Sequence, residues 1–179
     1  MKALCCFAAG AAVLLAGCAR FTEDQLWSKI ENARANGNPD STIQVCQLLL
    51  KQYPEGKDAP AALYMIAETY QDGKHDYRNA VNYYHAFVTR YADLNSTPVA
   101  MFLIGFIYNN NLQMTDSARM AYEEFIAKFP NHELAASAKF EIDNLGKTPD
   151  EIMAIKKAAE EKQDAQSKKT LPKGRWKKR

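Results

Sequence analysis

Cysteine, histidine and glycine are scarce in this chain of 179 residues, which holds four, three and eight of them. Three of the cysteines, Cys5, Cys6 and Cys18, fall near the start, so Cys46 stands alone in the rest and no disulfide framework can be drawn. Cys46 sits among Val45, Leu48 and Leu49, the setting of a buried, inert thiol. His75, His85 and His132 are far apart, and none has the Cys or carboxylate spacing of a metal site. A glycine-rich phosphate loop, a dinucleotide fingerprint and a serine nucleophile elbow are all missing. The adjacent acids Glu123-Glu124 and Glu160-Glu161 do not supply an acid–base pair, because neighbouring helix positions point about 100° apart. Nothing here argues for an enzyme, and no cofactor is implied.

A long apolar run is missing as well. Lys2 precedes an uncharged, Ala- and Leu-rich stretch from Ala3 to Gly17, and Arg20 then closes it. That is short of the roughly 20 residues a membrane-spanning helix needs. The order of positive start, apolar middle and small residues is that of a secretory signal. Leu15-Ala16-Gly17-Cys18 resembles the lipobox of bacterial lipoproteins. The resemblance implies that residues 1–17 are removed, that the Cys18 thiol receives a diacylglyceryl group, and that palmitate-type acyl chains hold the protein on a membrane through a lipidated linker, residues 18–26. By the same resemblance, Ala19 in place of the Asp that retains such proteins in the inner membrane points to the periplasmic face of the outer membrane.

Charge is divided along the chain. Residues 18–155 carry twelve basic and eighteen acidic side chains, whereas residues 156–179 carry ten basic and three acidic, so an acidic body precedes a basic tail. From residue 163 the chain is Lys-rich, with Pro172 and Gly174 and almost no aliphatic side chains, which predicts disorder over 163–179. Lys173, Arg175, Trp176, Lys177, Lys178 and Arg179 have the composition of a nucleic-acid or anionic-surface contact. Export removes nucleic acid from consideration, leaving anionic lipid, wall polymer or an acidic partner, and a merely solubilising role stands beside these.

Between these ends lies a repeat. Leu63, Ile66, Ala67, Tyr70, Ala80, Tyr84, Phe87 and Ala92 recur 38 residues later as Met101, Ile104, Gly105, Tyr108, Ala118, Tyr122, Phe125 and Pro130. Thr42, Cys46, Leu49 and Pro54 continue the second half of the unit 38 residues upstream, with Trp27 and Ile30 for its first helix. Apolar spacings of three and four make each unit two amphipathic helices. Thr97-Pro98, Asp76 and Thr115 read as helix starts, Gly73 as a turn between helices, and Gly146 as the end of a helix over 133–145. Thr148-Pro149-Asp150-Glu151 reads as a capping box opening one more helix. Nothing resembles a strand, so the fold class is all-α, with a helical domain over residues 27–162.

Met101, Ile104-Gly105, Tyr108, Ala118, Tyr122 and Pro130 resemble, in order, the pattern of the tetratricopeptide repeat, whose usual unit is about 34 residues. The resemblance implies a superhelix of about two full helix pairs plus flanking helices, with small Ala67 and Gly105 letting paired helices approach. It also implies that first helices line a groove that binds other proteins, here Tyr64, Glu68, Gln71 and Asp72 in one repeat and Phe102, Phe106, Asn109 and Asn110 in the next. Phe102 and Phe106 admit two readings, an aromatic strip for a partner segment or packing on the neighbouring repeat. Joined to the lipobox, the repeat is similar to outer-membrane lipoproteins of the BamD type and to the repeat domain of the Tol-Pal-associated protein. That similarity implies a scaffold for cell-envelope proteins, β-barrel assembly components among them. The alternative is a tether from outer membrane to cell wall or division machinery, acylated at one end and basic at the other.

Overall fold

The computed structural model describes residues 20–170, the side chains at 164, 165 and 167–170 excepted. These residues form α1 (Glu23–Ala35), α2 (Pro39–Gln52), α3 (Ala59–Glu68), α4 (Tyr77–Arg90), α5 (Thr97–Asn110), α6 (Thr115–Lys128), α7 (Ala135–Asn144) and α8 (Pro149–Thr170), with a π-helical turn, Thr69–Gly73, continuing α3. No strand occurs among the described residues. Helices α1 and α2, α3 and α4, and α5 and α6 pack as pairs, and the contacts α2–α3, α4–α5 and α6–α7 stack each pair on the next. None of the helices is long and apolar enough to cross a membrane.

The 38-residue period of the sequence is the period of the backbone. Second helices begin at Pro39, Tyr77 and Thr115, and first helices at Ala59, Thr97 and Ala135. Gly37, His75 and Gln113, at one register, turn the chain within each pair through left-handed backbone with φ of 63°, 52° and 54°. Glycine adopts this freely, whereas other residues give up about 1–2 kcal/mol there. The loops between pairs repeat as well. Tyr53, Tyr91 and Phe129 close the second helices by donating to Leu49, Phe87 and Phe125, and Gly56, Leu94 and His132 donate to the carbonyls of Tyr53, Tyr91 and Phe129.

Helix starts follow the sequence in part. Asn38 accepts from the Ser41 amide at 3.0 Å and Asp76 from the Asn79 amide at 3.2 Å, each satisfying an end group the helix leaves open. At α8 the Thr148 amide donates to Glu151 at 2.8 Å and the Glu151 amide to the Thr148 hydroxyl at 3.3 Å, closing the capping box. Thr115 does not cap α6. It is the first helical residue, and the cap position belongs to Met114, which has no acceptor to offer. Thr97 does not cap α5 either. It is buried, and its hydroxyl donates to the carbonyl of Tyr91, which also accepts from the Leu94 amide in the loop after α4.

The core forms where small and large residues alternate across the pairs. Tyr84, Phe87, Tyr122 and Phe125 are all 1% exposed or less. A Cβ on Gly105 would lie 2.7 Å from the Tyr122 ring, so glycine is what lets α5 and α6 close on that ring. Leu26, Ile30, Cys46, Leu49 and Ile66 form the first cluster, in which α1 to α3 meet. Burial pushes the Cys46 thiol up to about 12, away from the reactive thiolate.

Two boundaries differ from expectation. Helix α1 starts at Glu23, inside the segment read as a linker over 18–26, because Thr22 and Gln25 form a capping box and Leu26 is already in the core. Helix α8 runs to Thr170, through the first part of the segment expected to be disordered from residue 163. Its Ala, Glu, Lys and Gln residues are strong helix formers, and Asp150 and Glu151 favour its N-terminus. It leaves the body after Ile152 and makes no more than marginal contact with any other helix. The signal segment 1–17, Cys18, and Lys173, Arg175, Trp176, Lys177, Lys178 and Arg179 lie outside the described residues.

Candidate protein-binding groove

First helices α1, α3, α5 and α7 lie side by side in one layer. Arg34 of α1 reaches Glu68 of α3 at 4.0 Å, Leu63 and Ala67 of α3 share a core with Ala100, Ile104 and Ile107 of α5, and Asn109 of α5 donates to Glu141 of α7 at 3.3 Å. Because the period is 38, residues at equivalent positions form rows across this layer. Tyr64, Phe102 and Phe140 make one row, and Glu68, Phe106 and Asn144 make another, one turn along.

The aromatic row changes character from one end to the other. Tyr64 packs edge-on against Tyr84 and Phe87 of its own pair, with ring centroids 5.4 and 5.2 Å apart. Phe102 meets Tyr122 at a tilt, with centroids 5.3 Å apart, and Phe125 edge-on at 6.0 Å. Such contacts are worth about 0.5–1.5 kcal/mol each beyond buried area. Phe102 therefore belongs half to the core of its own repeat, a third answer beside partner strip and neighbouring-repeat packing. Phe140 has no second helix to meet, since α8 departs, and it stays 55% exposed. Phe106 is 37% exposed. Phe106 and Phe140 thus form the open apolar part of the layer.

At the α1–α3 end the layer is polar. Arg34, Asn38, Thr42, Met65, Glu68 and Asp72 line a cleft of about 260 Å3 beside the π-helical turn. Burial holds the Glu68 carboxyl above its ordinary range and neighbouring Asp72 adds to this, while the Arg34 guanidinium works against both. The Arg34–Glu68 contact is long and exposed, so it neutralises Glu68 weakly. Gln71 faces inward instead and accepts from the Tyr84 hydroxyl at 3.1 Å. Its equivalent, Asn109, is one methylene shorter and is taken by Glu141, which leaves the buried Tyr122 hydroxyl with no partner. Asn110 turns back to the Phe106 carbonyl at 3.1 Å and ends its helix, as its type favours.

Of the residues expected in a groove, Tyr64, Glu68, Asp72, Phe102, Phe106, Asn109 and Asn110 come together on one layer, and Gln71 serves the interior. Sequence reasoning passed over Phe140, Glu141 and Arg34. The first two could have been found by carrying the 38-residue register one repeat further. Arg34 could not, because α1 departs from that register. In the other layer, a hollow of about 560 Å3 between α4 and α6 is lined by His85, Tyr108, Met120 and Glu123, with Met120 70% exposed. No group of three or more His, Cys, Asp or Glu side chains among the described residues could hold a metal ion.

No curated protein matches the chain. Residues 61–93 and 99–132, which hold α3–α4 and α5–α6, each match the family model of the tetratricopeptide repeat, so the two central helix pairs are repeats of the type through which domains bind other proteins.

Proposed function

We propose that this protein is a lipid-anchored scaffold of the bacterial cell envelope, acylated on Cys18 at the periplasmic face of the outer membrane, which holds other envelope proteins during outer-membrane protein assembly. The observation that carries the binding part is the exposed pair Phe106 and Phe140, on the same first-helix layer as the polar cleft at Glu68 and Asp72. An apolar strip beside a charged pocket suits one face of an amphipathic segment, whose side chains at helical spacing anchor it. The anchor and location rest on the sequence Leu15-Ala16-Gly17-Cys18-Ala19.

Two measurements test this. Palmitate labelling in the host is expected for the wild type and absent for Cys18→Ser. Photo-crosslinkers placed at Phe106 and Phe140 are expected to trap β-barrel assembly components, whereas a crosslinker at Met120, in the other layer, traps none. Crosslinks only to wall-associated proteins would exclude the assembly role and favour a tether.

A further inference from the structure

We infer that the basic end of a second copy of this chain, residues 171–179, docks in the groove, with Trp176 on Phe106 and Phe140 and Lys173 at Glu68 and Asp72. This rests on the groove reading above and names an occupant for it.

Three observations point to this occupant. The first is charge. Glu68, Asp72 and Glu141 bring three carboxylates to the first-helix layer, and Arg34 offsets one of them weakly, at 4.0 Å. From Gln166 to Arg179 the chain carries seven basic residues and no acidic one. Glu68, held partly out of water, gains most from a cation that arrives beside it.

The second is spacing. Glu68 on α3 and its equivalent, Phe106, on α5 stand one repeat apart in the layer, with α4 packed against both helices. Three residues of extended chain cover about 10 Å, and three residues separate Lys173 from Trp176. A lysine and a tryptophan ring close together in one segment supply a cation for the acidic cleft and a ring for the aromatic strip, which lie on successive first helices. Pro172 and Gly174 flank Lys173 and disfavour a helix there, in keeping with an extended segment.

The third is reach, which selects a second copy over the same one. Helix α8 is 22 residues long, about 33 Å, and it carries the chain away from the body. The nine residues after Thr170 span at most about 30 Å. They cannot return along α8 and then cross α7 and α5 to Glu68 of their own chain. Copies held on one membrane surface raise their mutual effective concentration, which favours exchange of ends between neighbours.

The test uses the full mature chain prepared without acyl groups. Sedimentation equilibrium is expected to give a reversible self-association that weakens with added salt. It should fall at least tenfold in Glu68→Gln/Asp72→Asn, and also in Lys173→Gln/Trp176→Ala. Mixing Asp72→Cys chains with Lys173→Cys chains, both carrying Cys18→Ser, under mild oxidation should give the mixed disulfide, since Cys46 is buried. A peptide of residues 166–179 should compete. All the substituted groove positions are at least partly exposed, and circular dichroism checks that the variants fold. A monomer at every concentration, or association that ignores both sets of substitutions, overturns the inference. So does binding of the tail to anionic phosphatidylglycerol vesicles with no effect of the groove variants. Crosslinks from Phe140 to other envelope proteins would then persist, so the groove reading would stand while this one failed.

Discussion

Replacing Tyr122 by phenylalanine is expected to stabilise the protein, whereas the same change at Tyr84 weakens it. The two tyrosines hold one register in successive repeats and are equally buried. They differ in what meets the hydroxyl. Tyr84 donates to Gln71 at 3.1 Å, and losing a hydrogen bond of that kind costs about 0.5–1.5 kcal/mol. The Tyr122 hydroxyl is buried without a partner, and such a group costs about 1–3 kcal/mol to keep. Tyr122→Phe should therefore recover on the order of 1 kcal/mol, and the two substitutions should differ by about 1.5–3 kcal/mol. Asn109→Gln supplies the missing methylene, at the expense of the 3.3 Å contact with Glu141. It should help only while Tyr122 keeps its hydroxyl, so the double-mutant cycle reads a coupling near 1 kcal/mol. Urea unfolding followed by circular dichroism at 222 nm is the assay. With a slope of about 1–3 kcal/mol/M, 1 kcal/mol displaces the midpoint by about 0.3–1 M. Midpoints that move together for Tyr84→Phe and Tyr122→Phe, with no coupling to Asn109→Gln, would refute the reasoning.

Met114→Asn places a capping acceptor where Asn38 and Asp76 already have one, and should add about 1 kcal/mol in the same urea assay. Phe102→Ala removes a ring packed on Tyr122 and Phe125 and should cost about 2–3 kcal/mol, while exposed Phe106→Ser and Phe140→Ser stay within about 0.5 kcal/mol. Removing residues 147–179 should lower helical ellipticity yet leave the unfolding midpoint of the remaining chain nearly in place, because α8 makes no more than marginal contact with the other helices. Folding raises the Cys46 thiol from 9.0 to about 12, so its protonated form is favoured by the folded state. The stability tied to it is intact below about pH 9 and is lost as pH climbs toward 12, a decline that Cys46→Ala should reduce in midpoints measured at pH 7, 9 and 10.

Much of the architecture was legible because the repeat writes its interfaces twice. Ala67 with Tyr84, and Gly105 with Tyr122, identified the close approaches before any coordinate, and Asp76 and Thr148 identified helix starts. What escaped is what depends on a third element. Thr97 looks like a cap until the carbonyl of Tyr91 is placed beside it. Phe102 looks like groove surface until the rings of α6 are brought under it. Helix α8 runs past residue 163 for another reason: Lys-rich, apolar-poor composition speaks against a packed core, and a lone solvated helix needs none. The π-helical turn at Thr69–Gly73 left no mark in the sequence that distinguishes it from an ordinary α-helical end.

The recurrence of one loop and one left-handed turn at a fixed interval makes the fold a modular one. The surface that α4 offers to α5 is offered again by α6 to α7, so a duplicated block of residues 97–134 inserted after residue 134 would find matching neighbours on both sides. Each added block would lengthen the molecule by one pair and its recognition face by one helix width. Unequal recombination within such a gene could then change the length of target it reads without redesigning a single junction.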